Sequence, residues 1–286
     1  MNQAAQLDNA ISCQGLHLAL GGTPVLQGID LALPAGAVVG LVGRNGAGKS
    51  TLMRALLGLS PPSQGHSQVL GRASTHINDP TREQLGYASQ TGDLLTWLTV
   101  WQHVEYIGSF YPRWQAAQAH ALCQRLQLDE RKKVSALSVG DQQKLALVLA
   151  LAHDPDLLVL DEPVASLDPV SRRDFMRLLF EGDAQRSQPR TVLLSSHLLT
   201  DLERVVSHIV FMRDGRVQLQ GAWDELQDQL RQVDLPAGSP PLAGTLHQRS
   251  LGGGGQRVLV DARLAGSLPQ QARALALEDL FVELNA

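Results

Sequence analysis

Cysteine is scarce in this chain: Cys13 and Cys123 are the only two in 286 residues. Two are too few for a disulfide framework or a metal site, and both read as small buried apolar residues in a reducing compartment. No apolar run approaches the ~20 residues that span a bilayer; the longest candidate, Leu145 to Ala152, sits inside a helical pattern. Charge of one sign is lacking as well. With 24 Lys and Arg against 28 Asp and Glu, the net charge of −4 offers none of the basic excess of a nucleic-acid binder, and no nucleic-acid partner is expected. The first ten residues hold no Lys or Arg and no apolar block, so no signal peptide is expected there. What these exclusions leave is a cytoplasmic globular protein, long enough for one main domain and a smaller appendage.

Alternation in Leu16–Leu20 and Leu26–Leu33 reads as two strands around Gly21-Gly22. Val38–Val42 is a buried strand that ends in a glycine-rich turn, followed by a helix over Ser50–Leu57. Leu85–Ser89 is a further strand. Helical spacing runs from Thr99 to Leu128, broken at Pro112, and Ser138 opens another helix that reaches Ala152. Strands recur at Leu157–Leu160, Thr191–Ser195 and Ile209–Met212, with helices between, which predicts a largely parallel sheet covered on both faces. The composition shifts after Gly221. Residues 232–244, with Pro236, Pro240 and Pro241, read as a linker; Thr245–Leu251 and Gln256–Arg263 read as a hairpin, and about Pro269 to Leu284 as a terminal helix. Gly252 to Gly255 imitate a phosphate loop, but strands flank them and no helix follows, so they are read as the hairpin turn.

The chemistry starts at Gly43-Arg-Asn-Gly-Ala-Gly-Lys-Ser50, which fits G-x-x-x-x-G-K-[ST] between a strand and a helix. Successive backbone N–H groups of such a loop face phosphates, and the helix N-terminus adds positive potential. Gly43, Arg44, Asn45, Gly46, Ala47, Gly48, Lys49, Ser50 and Thr51 are therefore assigned to a bound nucleotide, with Lys49 reaching the β and γ phosphates and Ser50 ligating Mg²⁺. Asp161 and Glu162 end an apolar strand. Asp161, expected on a strand neighbouring the loop's own, is assigned to the Mg²⁺ shell, and Glu162 to polarising the attacking water.

Leu137-Ser138-Val139-Gly140-Asp141 precedes a helix ahead of Asp161 and resembles the L-S-G-G-Q signature of ABC ATPases. The resemblance covers about residues 11–221. It implies an α/β P-loop ABC ATPase fold: a mostly parallel core sheet, an N-terminal antiparallel β subdomain, an inserted helical subdomain and a small C-terminal α/β appendage. Residues 1–222 would form the ATPase domain, with the helical subdomain at about 91–150, and residues 223–286 an accessory region. The resemblance further implies that Ser138 and Gly140 bind the γ-phosphate of ATP held by the opposite protomer. Gln90 matches the glutamine that senses Mg²⁺, Ser166 and Asp168 match the loop that crosses the dimer interface, and His197 matches the histidine that contacts the γ-phosphate. Three positions depart from the pattern: Val139 replaces a glycine, Asp141 a glutamine, and Leu20 the aromatic that stacks on adenine.

Aromatics number only twelve, and six of them (Trp97, Trp101, Tyr106, Phe110, Tyr111 and Trp114) crowd together just after Gln90. Part of the cluster is helical core; Trp97 and Trp101 are the candidates for docking a permease helix. Phe110-Tyr-Pro-Arg-Trp114, Asp129–Val134, the run from Lys144 and the tail Leu277–Leu284 resemble the subgroup that powers ABC-2 type permeases, with bacitracin-resistance and acetoin-associated exporters among its members. The implied partners are an integral-membrane permease and a second ATPase chain, identical or merely similar, at the cytoplasmic face of the membrane. The implied cofactors are ATP and Mg²⁺. Export is expected, with import as the alternative. DNA repair and ribosomal members fit poorly, because the segment between Gln90 and Leu137 is too short for a long coiled coil and the chain holds one such domain.

Overall fold

The computed structural model describes residues 8–90, 93–181, 186, 188–265, 268–269 and 271–285. It opens with an antiparallel pair, β1 (Asn9–Leu20) and β2 (Thr23–Pro34), joined at Gly21-Gly22. The all-apolar β3 (Val38–Val42) enters the core and leads into α1 (Lys49–Leu56). Two strands absent from the sequence reading follow, β4 (Gln64–Val69) and β5 (Arg72–Ala73), and complete an antiparallel sheet of order β2-β1-β4-β5. β4 reads Gln-Gly-His-Ser-Gln-Val and buries only Ser67 and Val69, so backbone pairing with β1 holds it in place of an apolar face.

After the short α2 (Asp79–Arg82) and β6 (Leu85–Ala88) come the three inserted helices, α3 (Val100–Gly108), α4 (Ala116–Arg125) and α5 (Val139–Leu151). Thr99 starts α3 with a capping box: Gln102 N donates to Thr99 Oγ1 at 3.2 Å, and Thr99 N donates to Gln102 Oε1 at 2.9 Å. Pro112 lies between α3 and α4, as expected. The helix predicted to reach Leu128 stops at Arg125; Gln127 takes a left-handed φ of 56°, and Leu126 and Leu128 fold into the core.

The chain then runs through β7 (Leu157–Leu160), α6 (Pro169–Glu181), β8 (Thr191–Ser195), α7 (Leu199–Glu203), β9 (His208–Arg213) and β10 (Arg216–Ala222). The main sheet has the order β10-β9-β3-β8-β7-β6, parallel except at the β10 edge. Every residue of β7 and β8 is buried, as apolar runs in a doubly covered sheet require.

At the C-terminal end, α8 (Trp223–Gln229) precedes β11 (Leu230–Leu235), β12 (Thr245–Ser250) and β13 (Gln256–Asp261), an antiparallel sheet of order β11-β13-β12, and α9 (Leu277–Asn285) closes the chain. Gly252 to Gly255 join β12 to β13, as the hairpin reading expects. Two expectations are corrected. The start of the expected linker belongs to β11, which ends at Leu235 because Pro236 has no N–H to donate. The terminal helix begins at Leu277; upstream of it Arg273 instead pairs with Gln232 in an isolated bridge. Leu259, Leu277, Leu280 and Leu284 share one buried cluster with Leu199, Leu202 and Phe211, so α9 seals the main sheet's cover beside α7. No helix among the described residues is long and apolar enough to cross a membrane.

Glu283, 2 % exposed, ties this region together. Its carboxylate accepts from Arg249 Nε and Nη2 at 3.0 and 3.1 Å and from Gln232 Nε2 at 2.7 Å. Removing one partner of a buried pair strands the other, although Arg249 keeps some access to water. Glu283→Ala is therefore expected to cost about 2–3 kcal/mol. A urea midpoint indistinguishable from wild type would refute that expectation.

Candidate nucleotide-binding site

The phosphate loop connects β3 to α1, and two glycines set its shape. Gly48 caps α1 at φ 98°, a left-handed conformation that L side chains rarely adopt. At Gly43 a Cβ would lie 2.4 Å from the Met212 carbonyl oxygen, so the loop's first residue must be bare for β9 to pass. The loop then folds over a cleft of about 780 Å³. Asn45, Gly46, Gly48, Lys49, Ser50 and Thr51 line one wall, and Gln90, Asp161, Glu162 and His197 line the other.

The opposing wall follows from the sheet. Strands β3, β8, β7 and β6 are parallel and adjacent in that order, and beyond their C-terminal ends stand, respectively, the loop, His197, Asp161 with Glu162, and Gln90. Chemistry at this edge is the general rule for open α/β sheets. One detail corrects the sequence reading: Asp161 is not on the strand next to β3, because β8 lies between them.

The polar groups are bound to one another. Lys49 is 8 % exposed, and its Nζ donates to Gly43 O at 2.7 Å and Arg44 O at 3.3 Å, which fixes the ammonium at the base of the loop. Burial pushes its pKa down, while Glu162 and Asp161 push it up. Ser195 Oγ donates to Asp161 Oδ1 at 2.7 Å and accepts from Glu162 N at 2.8 Å. Glu162 sits at φ 50°, and its Oε2 accepts from His197 Nδ1 at 2.7 Å. A buried carboxylate thus faces the cleft with an exposed imidazole beside it.

Other assigned residues lie elsewhere. Arg44 and Ala47 line a smaller cleft of about 290 Å³ with Arg213, Asp214 and Asn285. Ser138 caps α5 by accepting from Asp141 N at 3.1 Å, and Asp141 meets Lys144 at 3.4 Å. Asp168 caps α6 by accepting from Val170 N, Ser171 N and Ser171 Oγ; the Ser171 hydroxyl, its backbone N–H and that of Val170 hold the carboxyl below the usual carboxylate range. Neither Ser138 and Gly140 nor Ser166 and Asp168 line the large cleft of their own chain. Trp97 is 68 % exposed, whereas Trp101 stacks on His120 with ring centres 3.5 Å apart. Leu20, at the end of β1, is 53 % exposed.

Two participants escaped the sequence reading. Val25 adds an apolar patch to the cleft, but it lies just before the strand read from the sequence at Leu26–Leu33 and joins it only in β2. Ser195 holds the acidic pair, yet nothing marks it among Ser195-Ser196 before His197 except its place at a strand end.

A family model described as ABC transporter matches residues 26–165. The phosphonates import ATP-binding protein PhnC of Stutzerimonas stutzeri is 34 % identical over 247 residues, which cover 78 % of this chain and 88 % of that one. The aliphatic sulfonates import ATP-binding protein SsuB of Pseudomonas putida is 37 % identical over 212 residues, 73 % of this chain and 75 % of that one. A solved ATP-binding subunit of an ABC transporter superposes with a TM-score of 0.68 at 27 % identity, covering 77 % of this chain and 92 % of the other. The chain belongs to the ABC transporter family, as an ATP-binding subunit. It binds ATP and hydrolyses it.

Proposed function

We propose that two such chains, identical or closely similar, close head to tail around two ATP molecules and so drive a separate membrane permease. The observation that carries this reading is the split of the motifs: Ser138 and Gly140 do not line their own chain's cleft, which supports a nucleotide supplied by a partner. On this reading residues 1–222 are the ATPase domain with 91–150 as its helical insert, residues 223–286 are accessory, and the assembly sits at the cytoplasmic membrane face through the permease.

Within each site the loop N–H groups and Lys49 take the phosphates, and Glu162 accepts the proton of the attacking water. His197 steadies that carboxylate through its Nδ1 and turns its exposed face to the γ-phosphate. Ser50, Gln90 and Asp161 offer hydroxyl, amide and carboxylate oxygens on facing walls, a hard donor set that suits Mg²⁺. That ion would neutralise developing charge on the phosphate oxygens. Differential affinity for the γ-phosphate is what such a cycle needs to move between open and closed states.

Export through an ABC-2 type permease is supported by the likeness of the Phe110–Trp114 segment and of the tail to that subgroup. Import is favoured by a different observation, the names of the phosphonate and sulfonate relatives. Reconstitution in vesicles of known orientation separates the two. The transporter reading itself is tested by pulling down Glu162→Gln protein from native membranes with ATP and Mg²⁺. Stoichiometric recovery of a multi-spanning protein is expected; recovery of ribosomes or DNA alone would contradict it.

Trp97 is the docking residue we propose, because a 68 % exposed indole has no packing role to explain it. Trp101 would support it from its stack on His120. Trp97→Ala is expected to lower transport at least tenfold while basal ATPase activity stays within twofold; equal loss of both would rule docking out.

A further inference from the structure

We infer that Gln143 is a positioning residue for hydrolysis, a single amide that locks Glu162 to the signature helix and to the loop bearing Ser166. The inference rests on Glu162 being the general base.

Gln143 lies on α5, one turn beyond Gly140, and is 9 % exposed. Its Nε2 donates to the Glu162 carbonyl oxygen at 3.2 Å, and its Oε1 accepts from Ser166 N at 3.1 Å. Those partners fix the amide's orientation, because a carbonyl can only accept and a backbone N–H can only donate. No other uncharged side chain of that length offers a donor and an acceptor on one planar end.

The position of Glu162 needs such a clamp. At φ 50° a non-glycine residue occupies a sparsely populated region that persists only where its surroundings over-determine it. Its N–H is held by Ser195 Oγ at 2.8 Å and its carboxylate by His197. Its carbonyl is held by two donors, Ala165 N at 3.2 Å within the same turn and Gln143 from outside it. Gln143 is thus the tie between Glu162 and α5, as Ser195 is its tie to β8. The first turn of α5 also presses on the Ser166 segment, at Gly140, where a Cβ would lie 2.9 Å from Ser166 O. A displacement at Ser138–Gly140 is therefore delivered to the backbone of Glu162 through a hydrogen bond and close packing, with no flexible link between.

The consequence is a split between binding and turnover. Gln143 does not line the cleft, so nucleotide affinity should depend on it little, whereas the aim of the Glu162 carboxylate should depend on it strongly. The test measures steady-state ATPase kinetics of the full-length chain with Gln143→Met, which keeps the volume and loses both hydrogen bonds. Gln143→Glu is measured in parallel; it keeps the acceptor for Ser166 N and loses the donor to Glu162. Both variants are expected to lose at least tenfold in kcat, with the KM for ATP within twofold of wild type.

Wild-type kcat in either folded variant would overturn the inference. So would a KM that rises in step with the fall in kcat, which marks a general loosening of the site. If Gln143→Met does not fold, Gln143→Glu carries the test alone, since it preserves shape and one of the two bonds. Glu162→Gln in the same assay separates two failures. An inactive Glu162→Gln beside a fully active Gln143→Glu refutes the positioning role only; an active Glu162→Gln removes the base assignment and this inference with it.

Discussion

Glu162→Gln should hydrolyse ATP about a thousandfold more slowly than wild type while still binding it, within the 10²- to 10⁴-fold that a positioned base contributes. The substitution is nearly isosteric. The backbone N–H can still donate to Ser195 Oγ, and the carbonyl can still accept from Gln143 and Ala165. The amide oxygen can also accept from His197 Nδ1. What disappears is the capacity to take a proton. With the γ-phosphate intact, the closed pair should persist, so size-exclusion chromatography with ATP and Mg²⁺ should show a stable species of twice the monomer mass. Multiple-turnover activity near wild type would eliminate Glu162 as the base. A dead variant that stays monomeric with ATP bound would count against the head-to-tail pair and leave the base assignment standing.

Lys49→Met should reduce kcat/KM at least a hundredfold, equivalent to about 2.7 kcal/mol of lost transition-state stabilisation. The ammonium is buried, and two loop carbonyls, Gly43 O and Arg44 O, hold it at the loop's base. Charge-assisted bonds to phosphate from so buried a group are strong. Methionine preserves the stem and removes the charge. Lys49→Arg should fail nearly as badly, because a planar five-donor fork does not fit a slot built for one compact ammonium. Full activity of Lys49→Arg would mean that charge alone suffices there. Phosphate-release kinetics and a fluorescent-nucleotide titration measure the two components separately.

The two substitutions act on opposite walls of one cleft, and the walls differ in how they were legible. The loop wall is contiguous in sequence, so its spacing and its strand-to-helix context identify it directly: glycine is needed at Gly43 for the close pass of Met212 and at Gly48 for a left-handed cap. The opposing wall is assembled from three strand ends far apart in the chain. Asp161 and Glu162 were read from a carboxylate pair that ends an apolar strand, whereas Gln90 and His197 were named through resemblance. Gln143 carried no such mark and Ser195 only its place at a strand end, since their importance lies in what they touch.

The same division runs through the fold. Buried strands such as β3 and β7 are apolar throughout, and β8 has an apolar centre, so composition reveals them. β4 and β10 are edge or half-exposed strands held by backbone pairing, and the backbone is common to all residues. β11 was hidden for another reason: the prolines that follow it drew the whole stretch into a linker, although Pro236 only ends the strand.

By itself the sequence determined the class of protein, the phosphate loop and the alternation of strand and helix, because these depend on residues close together in the chain and on periodicities that local burial imposes. Only the tertiary structure decided that β8 separates Asp161 from the loop's strand, that Ser195 and Gln143 clamp the acidic pair, and that α9 closes over α7. Those relations join residues tens of positions apart. They follow from sheet order and from the pairing demands of buried polar groups, which no local spacing encodes.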